Sequence, residues 1–123
     1  MFLVTVEKDF DAAHYLRGYH GKCEALHGHR FVVRITIKAT RLDETGLAFD
    51  FTVLKQYLGD IVSRFDHTNL NDLPPFNELN PSSENIAIII HDEMKNYLTK
   101  APVTIDNVEV FESPTSRVSY RPD

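Results

Sequence analysis

His27-Gly28-His29 is the first place in this chain where residue type and spacing could do chemistry. In an extended strand, residues two apart point the same way, so both imidazoles would face one side. That side has the parity of Phe31 and Val33, the apolar side of the following segment. Upstream, His14 shares the parity of Phe10 and Ala12. Three imidazoles aimed into one interior region are costly unless something satisfies them. A zinc ion would do so, and three protein nitrogens leave a fourth position open for water or substrate. The glycine between the two histidines permits close backbone approach. The competing reading is three surface or hydrogen-bonded histidines. Three imidazoles would also suit copper, nickel or iron.

Around this trio lie other groups of consequence. Cys23 is four residues before His27, in a loop containing Gly18, Gly21 and Lys22. Spacing leaves three roles open: a fourth metal ligand closing a structural site, an inert buried thiol, or a base whose pKa is lowered by nearby cations. Asp66-His67 directly follows an amphipathic segment, where a histidine also suits the end of a helix. Glu112 has the parity of Val108 and Val110, and a carboxylate on an apolar face is either paired or functional. Glu84 reads as a first-turn helix charge, and His20 and His91 as ordinary polar residues.

The elements that must position these groups follow from periodicity. Phe2 to His14 alternates apolar and polar, a half-buried strand, and Phe31 to Ala39 does so more strongly. Asp43-Glu44-Thr45-Gly46 breaks that second strand. From Asp50 to Phe65, the residues Leu54, Tyr57, Leu58, Ile61, Val62 and Phe65 recur at helical steps, with Asp50 or Thr52 as cap. Asp66 to Pro81 is a loop. Ser82 or Ser83 caps a second helix with the apolar face Ile86, Ala87, Ile90, Met94 and Tyr97. Val103–Glu112 and Thr115–Arg121 read as two more strands. The expectation is an α+β fold, β-β-α-α-β-β, with a four-stranded antiparallel sheet and both helices between the strand pairs. Open sheet edges invite oligomerisation.

At 123 residues the expectation is a single domain spanning 1–123, large enough for a real core. Hydrophobic residues at 42% and charged residues at 25% exclude a disordered or fibrous chain. Thirteen basic against eighteen acidic residues, net −5, disfavour non-specific binding of nucleic acid or anionic membrane. The single cysteine rules out an internal disulfide framework and fits a reducing, cytoplasmic setting. No segment has the run of about 20 apolar residues of a membrane helix. The first residues lack the basic stretch of a signal peptide.

Taken together, Phe10-Asp11-Ala12-Ala13-His14, Cys23-Glu24-Ala25-Leu26-His27-Gly28-His29, Asp66-His67-x-Asn69-Leu70-Asn71, Ser82-Ser83-Glu84-Asn85 and Phe111-Glu112 resemble the 6-pyruvoyltetrahydropterin synthase family. The match is colinear over nearly the whole chain, and the branch it resembles most is the bacterial 6-carboxytetrahydropterin synthases of queuosine biosynthesis. The resemblance implies the tunnelling fold, in which subunits join their sheets into a barrel, a hexamer or tetramer with active sites at subunit interfaces. It implies one catalytic Zn2+ per subunit on His14, His27 and His29, with Cys23 as proton acceptor rather than ligand. Asp66 and His67 match the relay. Glu112 matches the carboxylate that anchors the pterin and takes part in the relay, and Ser83 and Glu84 match positions lining the pterin pocket. The substrate implied is 7,8-dihydroneopterin triphosphate. The implied products are 6-carboxy-5,6,7,8-tetrahydropterin, acetaldehyde and triphosphate, formed without a nicotinamide.

Three residue-level points bear on the product. Only three residues separate Cys23 from His27, where animal pyruvoyl enzymes have a longer insertion. Tyr15 stands where bacterial relatives often have arginine. Glu24 beside Cys23 resembles a dual signature with the folate-linked branch, in which a second base could permit a 6-hydroxymethyl-dihydropterin product. The pyruvoyl product, a non-catalytic zinc-stabilised oligomer and a Cys23–His67 hydrolase are the remaining alternatives. Lys22, Arg17 and Arg30 are candidates for the triphosphate.

Overall fold

A computed structural model describes residues 1–21 and 24–122. Strand β1 (Phe2–His14) and strand β2 (His27–Ala39) pair antiparallel along their whole length, from Phe2 opposite Ala39 to His14 opposite His27. Helix α1 (Phe51–Ser63) follows, then the two-residue strand β3 (Thr68–Asn69) and a single 3-10 turn at Leu70–Asp72. Helix α2 (Ser83–Tyr97) precedes strands β4 (Thr104–Ser113) and β5 (Ser116–Tyr120). The sheet order is β3-β1-β2-β4-β5.

This is the expected α+β chain order, with one addition. The four long strands are antiparallel as anticipated, and the fifth, β3, pairs parallel to β1 through Ala12–Thr68 and Ala13–Asn69. Two residues carry no readable periodicity, so the alternation that reveals longer strands could not reveal this one.

One face of the sheet makes the core. Val4, Val6, Phe10 and Ala12 of β1, Phe31, Val33, Ile35 and Ile37 of β2, and Val108 and Val110 of β4 are buried. They meet Leu54, Leu58, Ile61 and Val62 of α1 and Ile86, Ala87, Ile90 and Met94 of α2. The Asp50 carboxylate caps α1 by accepting from Thr52 N–H at 2.8 Å, and the Ser82 hydroxyl caps α2 by accepting from Asn85 N–H at 3.1 Å. Tyr57 and Tyr97 lie partly outside the core, with their rings 4.9 Å apart. His91, read as an ordinary polar residue, is instead buried on α2 against the Tyr120 ring, with Nδ1 3.0 Å from Asp92 Oδ1. No helix among the described residues is long and apolar enough to cross a membrane.

Candidate metal centre and its surroundings

Strand parity brings the three histidines together. His14 and His27 end the β1–β2 ladder opposite each other, and His29 lies opposite Ala12, two pairs in. All three project from the core face beyond Phe31. Their rings are 4.6, 4.8 and 5.3 Å apart, and one nitrogen from each lies within 4.8 Å of the other two.

Hydrogen bonds engage Nδ1 of two of the three rings. His14 Nδ1 donates to the Pro81 carbonyl at 2.7 Å, and His27 Nδ1 donates to the Ala25 carbonyl at 2.6 Å. A carbonyl only accepts, so both rings carry hydrogen on Nδ1, and in the neutral ring Nε2 is the nitrogen with a free lone pair. His14 Nε2 is buried and has no hydrogen-bond partner among the described residues. Burial holds the His14 imidazole below its ordinary pKa, against the opposing pull of the Pro81 carbonyl and Glu112. A neutral imidazole with an orphaned inward lone pair is what a metal ligand requires, and the donor set fits zinc.

Glu112 borders the same space. Its carboxylate oxygens stand 3.6 Å from His14 Nε2 and 4.0 Å from His29 Nε2. Ser83, the first residue of α2, donates its hydroxyl to Glu112 Oε1 at 3.3 Å. Parity marked Glu112 as core-facing; it did not reveal the bulge. In the β4–β5 register Phe111 faces Arg117 and Ser113 faces Ser116, so Glu112 is skipped. A bulge of this kind re-aims a side chain. Ser83, Glu84 and Glu112 line one hollow of about 270 Å³ with Tyr19 and Arg117.

A second cluster sits at the β1 edge. Asp66 Oδ1 accepts from Asp11 N–H at 2.9 Å, and His67 Nδ1 lies 2.9 Å from Asp66 Oδ2. The Asp11 N–H, then the His67 ring, hold the Asp66 carboxyl below its usual range. His67 has φ +58°, and its N–H donates to the Asp11 carbonyl at 2.6 Å. That left-handed conformation turns the chain from α1 into β3 and leaves the imidazole 78% exposed. His67 shares no cluster with the triad, yet it and His29 line one shallow hollow of about 420 Å³.

The remaining candidates fall elsewhere. Glu24 is exposed, with Oε2 3.9 Å from His20 Nδ1. Arg30 pairs with Asp11 at 3.2 Å. Arg17 is turned inward: its guanidinium donates to the Phe76 carbonyl at 2.7 Å, an arrangement that suits a brace better than a phosphate ligand. Cys23 and Lys22 lie outside the described residues.

Comparison with known proteins agrees with this geometry. The profile of the family described as 6-pyruvoyl tetrahydropterin synthase matches residues 3–123. The chain is 34% identical to the 6-carboxy-5,6,7,8-tetrahydropterin synthase of Bacillus subtilis, over 98% of this chain and 86% of that protein. It is 37% identical to the Synechocystis protein of the same name, over 98% of this chain and 93% of that one. Among solved structures, the 6-pyruvoyl tetrahydropterin synthase of Caenorhabditis elegans superposes with a TM-score of 0.83 at 27% identity, covering 100% of this chain and 98% of that one. The tunnelling fold is therefore shared.

Proposed function

Since the chain belongs to the 6-pyruvoyl tetrahydropterin synthase family, we propose that it is a zinc-dependent lyase of queuosine biosynthesis. The reaction converts 7,8-dihydroneopterin triphosphate and one water into 6-carboxy-5,6,7,8-tetrahydropterin, acetaldehyde and triphosphate. The observation that carries this reading is the orphaned, buried Nε2 of His14, converging with nitrogens of His27 and His29. The carboxy product is favoured by the relatives at 34% and 37% identity, which carry that name.

Zinc held by His14, His27 and His29 would act as a Lewis acid toward the substrate's side-chain hydroxyls, acidifying the adjacent C–H bond. The protein's own groups do the rest. Cys23 is the proposed base, removing the C1′ proton as thiolate. In the His67–Asp66 pair Nδ1 faces the carboxylate, so Nε2 is the position free to take up and return a proton. Glu112 accepts hydrogen bonds from the pterin's ring N–H and amino group, steadied by the Ser83 hydroxyl. Glu84 lines the same hollow. The ring is reduced at the expense of the side chain, so no external reductant enters.

Assembly through sheet edges fits the architecture. β3 covers β1 only at Ala12 and Ala13, and β5 forms the opposite edge. Exposed Met1, Phe2 and Leu3 lie at the open end of β1. A homo-oligomeric barrel with sites between subunits would bury these edges.

The test is a product assay. Zinc-loaded protein is incubated with 7,8-dihydroneopterin triphosphate, without nicotinamide, and products are identified by mass. Acetaldehyde with the carboxypterin is expected. Turnover without acetaldehyde would move the assignment to the pyruvoyl or hydroxymethyl product. Absence of turnover with zinc bound would overturn the lyase reading.

A further inference from the structure

Beyond His14 the β1–β2 ladder ends, and residues 15–17 have no strand partner. They are held instead by side-chain amides from the loop between the helices. Asn71 Oδ1 accepts from Tyr15 N–H at 2.9 Å while its Nδ2 donates to the Tyr15 carbonyl at 3.0 Å. Asn80 does the same for Arg17: Oδ1 accepts from its N–H at 3.0 Å and Nδ2 donates to its carbonyl at 2.9 Å. Each asparagine thus imitates a strand partner, offering one acceptor and one donor to the same residue. A carboxylate has only acceptors, and an alanine has neither.

These contacts form a staircase that ends at the triad. Tyr15 is tied to Asn71, Arg17 to Asn80, and His14 to Pro81, the residue that follows Asn80. The Asn80 carbonyl in turn accepts from Asn85 Nδ2 at 2.9 Å, which anchors this point to the first turn of α2. The Pro81 carbonyl therefore stands where it does because Asn80 is pinned on both sides. That carbonyl is the acceptor that keeps hydrogen on His14 Nδ1 and turns Nε2 toward His27 and His29.

We propose that Asn80, with Asn71 beside it, is a positioning residue for the metal centre. It fixes the tautomer and orientation of His14 through the Pro81 carbonyl, and it sets the path of the chain leaving the site. This rests on the reading of the triad as a metal centre. Partners that orient a metal-bound histidine typically contribute 10- to 100-fold to affinity; acting one residue further out, Asn80 belongs near the lower end, roughly 10-fold.

The experiment compares wild type, Asn80→Ala, Asn80→Asp and Asn71→Ala. Zinc affinity is measured by chelator competition, and the His14 ring nitrogens of the 15N-labelled, zinc-free protein by NMR. For Asn80→Ala the expected result is zinc binding about 10-fold weaker, with His14 losing its single Nδ1–H tautomer. Asn80→Asp should fall between that variant and wild type. Asn71 is buried, so Asn71→Ala could fail to fold; the half-buried Asn80 variants keep the test decisive. A folded Asn80→Ala with wild-type zinc affinity and an unchanged His14 tautomer would overturn the proposal. A wild-type protein that bound no zinc would overturn the metal reading instead, while the tautomer measurement would still judge the clamp.

Discussion

The three clustered histidines and the lone His67 sit in opposite surroundings. The triad at the end of β1 and β2 turns toward the core. There His14 is 1% exposed, its imidazole is held neutral by burial, and its Nδ1 is tied to a carbonyl. His67, at the β1 edge, is 78% exposed, carries a carboxylate on Nδ1 and sits on a left-handed turn. A carbonyl partner fixes a tautomer, and at His14 its pull toward charge is outweighed by burial. A carboxylate partner also favours the imidazolium. The first arrangement suits the proposed ligand role and the second the proposed role of proton carrier. What separates the roles is the partner on Nδ1 and the degree of burial, not the residue type.

The comparison is broken most severely by His14→Ala. Zinc content measured by mass spectrometry should fall to background and turnover should vanish with it, whereas a Cys–His hydrolase would keep most of its activity. Next comes Cys23→Ser, for which a fall in kcat of roughly 10²- to 10⁴-fold is expected with zinc fully retained. Loss of zinc in that variant would make the thiol a ligand. His67→Ala should lower kcat by about 10²-fold and leave zinc affinity untouched, sharpening the division between ligand and carrier. Asp66→Asn should cost about 10-fold in kcat, by releasing the His67 ring.

Acid should affect the two regions in different windows. His14 has its folded pKa depressed below the unfolded value of about 6.5, so its neutral form is favoured by folding. Its contribution is present above that value and is lost as pH falls through the lower folded value. The His14 contribution to zinc binding should therefore persist below the ordinary imidazole value and be lost as pH falls through the depressed folded one. The Asp66 carboxyl is also depressed, from about 3.9 for the unfolded chain, so its contribution persists until the pH falls below the ordinary carboxylate range. A zinc titration and an NMR titration of Asp66 across pH 3–7 would separate the two.

Period-two alternation was enough to place the triad, because parity along β1 and β2 decides which residues share a face, and the observed register keeps that parity to the last pair. The helices were legible for the same reason, with their caps at Asp50 and Ser82. The bulge at Glu112, the two-residue β3 and the positive φ of His67 are set by tertiary pairing, and none leaves a periodic trace. Asn71 and Asn80 were hidden in a loop whose polar residues look interchangeable until their partners at Tyr15 and Arg17 are seen. The inward turn of Arg17, whose guanidinium donates to the Phe76 carbonyl, likewise left no trace in residue type or spacing.

The most direct test of the open three-histidine centre is the X-ray absorption fine structure of the zinc-loaded protein. Three imidazole nitrogens and one oxygen, all at about 2.0 Å, are predicted, with no sulfur shell. A zinc–sulfur distance of about 2.3 Å would put Cys23 in the coordination sphere, close the fourth position and contradict the account.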